Sequence, residues 1–149
     1  MKEENRRAEI AEAVFLALPD WFGMPEGTRA YIDQCRVQPL WAAFVGDQPV
    51  GFASLSQTNW AAAEIHCMGV LPGLRRQGIG RGLMEALTAH AMQAGYRLLL
   101  VKMVDAGHHP EYDRTIAFYD GMGFLRLEVF PTLWDERNPC LVLVKALGA

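Results

Sequence analysis

The stretch LPGLRRQGIGRGLM, Leu71 to Met84, constrains this chain more than any other. It holds three arginines and four glycines, and no carboxylate lies between Glu64 and Glu85. The run before it, AAAEIHCMGVL, reads as a strand over Ala62 to Leu71. After it, Ile79, Leu83, Leu87, Ala91 and Ala94 recur at helical spacing, and Gly95 is placed to end that helix. The chain must therefore pass from strand to helix through a loop with little side chain and much positive charge. A helix start offers unpaired N–H groups and the positive end of the helix dipole to an anion. Gly78, Gly80 and Gly82 let a ligand approach the backbone because no Cβ intervenes. Arg75, Arg76 and Arg81 add charge, which predicts a phosphate cradle over Gln77 to Gly82. The alternative is a tight strand-to-helix turn with solvated arginines. There is no GK[ST], so this is not a Walker loop, and Leu83 stands where a dinucleotide fingerprint needs glycine or alanine.

The rest of the chain supplies a frame for that loop. Ile10, Val14 and Leu18 mark a helix face within Arg6 to Leu18, and Thr28 to Cys35 reads as a second short helix. LWAAFVGDQPVGFASLS predicts two strands joined at Gly46-Asp47-Gln48-Pro49 as a hairpin. RLLLVKMV is a continuous apolar run, the pattern of a strand buried on both faces. PEYDRTIAFYDGMG predicts a helix opened by Pro110 and stopped by glycine, and FLRLEVF and CLVLVKAL predict two closing strands. The expected class is α+β, a mixed sheet with helices on both faces, in one domain over residues 1–149.

Composition narrows the partners. Fourteen Lys and Arg against seventeen Asp and Glu give a net charge of −3, which argues against a general nucleic-acid binder. The arginine cluster is thus a local patch suited to one small anion. Cys35, Cys67 and Cys140 are scattered, with no CxxC and no ligand spacing, so no metal site is expected. They read as reduced, buried thiols of a cytoplasmic protein. MKEENRRAEIAEAVFLAL is too charged for a signal peptide, and no apolar run is long enough to span a membrane.

Val70, Pro72, Arg75, Gly78 and Gly80 form V-x-P-x-x-R-x-x-G-x-G, which resembles the coenzyme A motif of the GNAT superfamily of acetyl-CoA-dependent N-acyltransferases. AFYDGMGF, Ala117 to Phe124, is similar to that family's F-Y-x-x-x-G-F segment. One helix and one apolar strand separate the two motifs, in the family's order, and the resemblance covers roughly Trp41 to Phe130. It implies a GNAT-like fold with a mostly antiparallel sheet, acetyl-CoA as co-substrate, and transfer of acetyl to a primary amine by direct attack. Met68, Gly69 and Val70 would contact pantetheine and the acetyl group. Arg75, Arg76, Gln77, Gly78, Ile79, Gly80 and Arg81 would hold the pyrophosphate. Tyr119 would protonate the leaving thiolate, and Glu64, with His66 on the same strand face, would take the amine's proton. Each has a plainer alternative: Tyr119 packing with Ile116, Glu64 at a solvated strand start, His66 a satisfied core histidine.

The sequence also departs from the family. Tyr112 stands where many members have asparagine, Thr115 where alanine is usual, and the first strand is short or missing. His108 and His109, and the aromatics Trp21, Phe22 and Trp134, are candidates for an acceptor pocket, or else for capping the core. The resemblance implies an amine acceptor, with small amine, amino acid, antibiotic, peptide terminus and protein lysine all open, and dimers are common in the family. The competing readings are a non-catalytic acyl-CoA-binding regulatory module and, disfavoured by charge, a nucleic-acid-binding domain.

Overall fold

Each change of periodicity along the chain marks a new element of the computed structural model. It describes residues 2–16, 32–71, 74, 78–105, 107, 110–135 and 138–148. The elements are α1 (Lys2–Leu16), β1 (Leu40–Val45), β2 (Gln48–Gln57), β3 (Ala62–Val70), α2 (Ile79–Gln93), β4 (Leu98–Val104), α3 (Pro110–Gly121), β5 (Leu125–Asp135) and β6 (Asn138–Ala146). The strand order is β1-β2-β3-β4-β6-β5. β3 and β4 run parallel, whereas β1–β2, β4–β6 and β5–β6 are antiparallel, so the sheet is mixed as expected. Among the described residues no strand precedes Leu40, in line with the missing first strand.

The chain divides into two compact units. One comprises Met1–Ser56 and His66–His90, the other Gln57–Ile65 and Ala91–Ala149. In the first, Ala8, Ile10, Ala11 and Val14 of α1 bury against Ile32, Cys35, Phe52 and Cys67. Phe52 and Gly51 point to opposite sides of β2 by strand alternation. A Cβ on Gly51 would meet Ile79 of α2, so α1 and α2 cover opposite faces of that strand. Leu18 and residues 28–31 of the expected second helix lie outside the described residues; 32–35 are helical.

In the second unit, Leu99, Val101 and Met103 of β4, Ile116 and Tyr119 of α3 and Leu141 and Leu143 of β6 are buried. β4 was expected to be buried on both faces. Only the Leu99, Val101 and Met103 face is, while Leu98 and Lys102 on the other are exposed. The parallel pairing with β3 ends at Glu64↔Leu100, and Lys102 lies beyond it with its charge reaching water.

Three local features follow from backbone chemistry. The β1–β2 turn is tighter than the expected four residues: Val45 pairs with Gln48, and Gly46 takes φ 61°. A two-residue turn that matches strand twist needs positive φ, which glycine supplies. Pro49, lacking an N–H, sits at the register shift opposite Phe44. Both α2 and α3 end in the same glycine cap. Gly95 N–H donates to Met92 O and Tyr96 N–H to Ala91 O. Gly123 N–H likewise donates to Asp120 O and Phe124 N–H to Tyr119 O. The two glycines have φ 90° and 93°, the left-handed conformation that this cap requires.

Candidate functional site

The glycine-arginine loop leads into α2 as the sequence predicts. The Gly82 N–H donates to the Gly78 carbonyl at 3.0 Å, the first bond of the helix ladder. The N–H groups of Gly78, Ile79, Gly80 and Arg81 therefore precede the ladder and have no intrahelical acceptor. Gly78 has φ 82°, which side chains rarely adopt. A Cβ added at Gly78 or at Gly82 would meet nothing within 4 Å among the described residues. The first turn of α2 carries no acidic residue, and Arg81 is exposed. Open backbone, donors without an intrahelical acceptor and the positive dipole end together suit a diphosphate. Arg75, Arg76 and Gln77 lie outside the described residues.

The loop is anchored from below by a contact that the sequence did not reveal. Gly51 on β2 faces the end of β3 and the start of α2. A Cβ there would stand 3.2 Å from the Gly69 carbonyl oxygen and 3.3 Å from both Val70 Cγ2 and Ile79 Cγ2. The Leu71 N–H also donates to Val50 O at 2.9 Å, and the Leu74 N–H turns back to Leu71 O at 3.0 Å. β2 thus approaches the loop's root only because residue 51 has no side chain.

On β3, Ala63, Ile65 and Cys67 are buried, while Glu64, His66, Met68, Gly69 and Val70 are half-buried. Alternation puts Glu64, His66 and Met68 on one face, as expected. Glu64 Oε1 lies 3.2 Å from Lys102 Nζ, with the side chains 20% and 37% exposed. Lys102 was not anticipated. Its signal was the lysine that interrupts the apolar run from Leu98 to Val104. On β6, burial pushes the Cys140 thiol above its usual value; Lys102 opposes this and Glu64 reinforces it.

Tyr119 is buried at 3% exposure near the end of α3. Its ring meets Phe118 edge-on at 5.3 Å and Phe124 at 5.2 Å. Tyr119 and Phe124 are also the two hydrophobic residues that a glycine cap of this kind brings together. Packing is therefore one of its roles. His108, His109, Trp21 and Phe22 lie outside the described residues; the Trp134 side chain is exposed on β5.

The three cysteines are free and buried. The Cys35 thiol lies 3.8 Å from Ser54 Oγ, and its hydrogen bond with Cys67 holds it below the usual value against the opposing effect of burial. Among the described residues no group of three His, Cys, Asp or Glu could hold a metal ion, and no helix is long and apolar enough to cross a membrane.

Comparison with known proteins bears on these features. Residues 8–124 match the profile of the Acetyltransferase (GNAT) family. No curated protein matches the sequence. Among solved structures, Ard1 from Thermoplasma volcanium is similar, with TM-score 0.79 and 19% identity over 95% of this chain and 94% of that one. An aminoglycoside 6'-N-acetyltransferase complexed with coenzyme A gives TM-score 0.76 and 17% identity over 96% of this chain and 91% of that one. A GNAT family acetyltransferase from Elizabethkingia anophelis with acetyl-CoA bound gives 0.68 and 18% over 90% and 88%. At such identities the likeness to these structures is one of fold.

Proposed function

The chain belongs to the GNAT family of acetyltransferases, and from that premise we propose that it moves the acetyl group of acetyl-CoA onto a primary amine by direct attack. The observation that carries the binding half of this reading is the start of α2. There the helix ladder opens at the Gly78 carbonyl, and no described residue would meet a Cβ at Gly78 or Gly82. Gly78, Ile79, Gly80 and Arg81 would hold the pyrophosphate through backbone N–H groups and charge. Arg75, Arg76 and Gln77 join them on the strength of the sequence motif. Met68, Gly69 and Val70, ending β3 just before that loop, would line the pantetheine and the acetyl group.

When bound, acetyl-CoA supplies an acyl group activated as a thioester. The chain's own residues manage protons. A nitrogen–carbon bond forms and the carbon–sulfur bond breaks. The amine's surplus proton passes to Glu64 through water, with His66 two residues further along β3 as the second candidate acceptor. The Tyr119 hydroxyl gives a proton to the leaving thiolate. The acceptor is a small-molecule or peptide amine. Residues 1–149 act in this reading as one domain, since β3 and α2 each contribute to both compact units. Three reduced thiols support a cytoplasmic setting. The exposed apolar residues Leu125, Leu127 and Leu133 on edge strand β5 support a homodimer.

Thermal unfolding with acetyl-CoA, beside NADH and ATP, tests the cradle, and release of free thiol in an amine screen tests transfer. A rise in Tm with acetyl-CoA alone is expected; no rise in folded protein free of copurified coenzyme A refutes the binding. Tyr119→Phe is expected to bind acetyl-CoA normally and to lose most turnover. Full turnover in that variant removes the acid assignment, and an unchanged Glu64→Gln rate removes the base.

A further inference from the structure

Lys102 sits where a sheet seldom keeps a charge. Its backbone is fixed in β4, paired to Val142 of β6, and its neighbours Val101 and Met103 are buried at 5% each. The side chain is 37% exposed, so what positions its ammonium is the ion pair with Glu64. Its Nζ lies 3.2 Å from Glu64 Oε1. Cys140 on the adjoining strand stays a neutral thiol, because burial pushes its titration up. The carboxylate that awaits the amine's proton is thus already matched by one positive charge.

We propose that Lys102 is a specificity-determining residue, restricting the acceptor to a single amine whose flank is neutral or anionic and discriminating against polyamines. This rests on the reading of Glu64 as proton acceptor. An acceptor amine that reaches Glu64 comes within a few ångströms of Lys102. A lone amine tolerates that, because it reacts in its neutral form. A polyamine brings a second ammonium that no free carboxylate of the pair can balance. At about 6 Å, and at a dielectric between that of a protein surface and bulk water, one such repulsion lowers affinity roughly tenfold.

The experiment compares wild type, Lys102→Met and Lys102→Arg on two probes, glycinamide as single amine and spermidine as polyamine. Thiol release gives kcat/KM for each, and isothermal titration of the same amines, with and without coenzyme A, gives affinities where turnover is slow. The spermidine-to-glycinamide ratio is expected to rise about tenfold in Lys102→Met and to stay at the wild-type value in Lys102→Arg, with KM for acetyl-CoA unchanged in both. A ratio that does not move in Lys102→Met, by rate or by titration, overturns the proposal. Failure of acetyl-CoA to bind any of the three proteins would instead strike the acetyltransfer reading, and the amine titration would still decide the role of Lys102.

Discussion

Replacing Gly82 by alanine separates folding from binding at the loop. Gly82 lies in the first turns of α2, its φ is not left-handed, and an added Cβ meets nothing within 4 Å among the described residues. In a helix interior alanine is better than glycine by about 0.8–1.0 kcal/mol. So near a helix end roughly half to all of that gain should appear. For a chain of this size that corresponds to a rise in Tm of about 1–4 °C without ligand. The same Cβ fills space that the proposed cradle leaves for a diphosphate. Wild type with acetyl-CoA at about a hundred times its Kd should gain roughly 2.7 kcal/mol. A tenfold weaker complex forfeits about 1.4 kcal/mol of that. The assay is thermal unfolding of both proteins with and without acetyl-CoA, with Kd taken from the concentration dependence. Higher stability together with weaker binding is the expected pair. A lower Tm without ligand would refute the open helix start. A higher one with undiminished acetyl-CoA stabilisation would refute the claim that the ligand lies against this turn.

Gly51→Ala should do the reverse at the loop's root. Three contacts at 3.2–3.3 Å force the end of β3 or the start of α2 to move, costing about 1–3 kcal/mol as overpacking does and weakening acetyl-CoA binding; a variant destabilised yet binding normally would show the root to be free to shift. The raised Cys140 thiol makes stability depend on alkaline pH. A group whose folded value lies above its unfolded one stabilises below the unfolded value, 9.0, and loses that contribution as pH climbs through the folded value. Denaturant titrations should therefore show stability falling above pH 9.0, with the fall smaller in Cys140→Ala; equal slopes in the two proteins would refute it.

The start of α2, the helix stops and the alternation of β3 were legible in the sequence because each rests on local chemistry. Gly95 and Gly123 adopt positive φ, and Glu64, His66 and Met68 share a face through strand alternation alone. What escaped depends on registers between distant segments. The partnership of Glu64 and Lys102 follows from β3 and β4 aligning at Glu64↔Leu100, and no pattern within either strand states that alignment. Gly51 looked like an ordinary strand residue. Its role appears only when Gly69, Val70 and Ile79 arrive from two other elements. The reading of β4 as buried on both faces failed for a related reason, since an apolar run does not say where its neighbour stops pairing.

The segment FYDGMGF shows how far a motif match can carry chemistry. Gly123 and the aromatic pair Tyr119 and Phe124 are already accounted for by the way α3 stops. Gly123 must be left-handed, and the rings of Tyr119 and Phe124 must meet across the cap, as they do at 5.2 Å. Such a sequence would suit that helix end in a protein with no catalysis at all. A phenylalanine at 119 would provide the same ring contact without placing a hydroxyl on a residue only 3% exposed, where a polar group must find partners or cost stability. The cap accounts for the ring, and the hydroxyl is what it leaves to be explained. That is why the catalytic argument rests on one oxygen atom, and why Tyr119→Phe, which keeps the ring and removes that atom, separates the two roles of the motif.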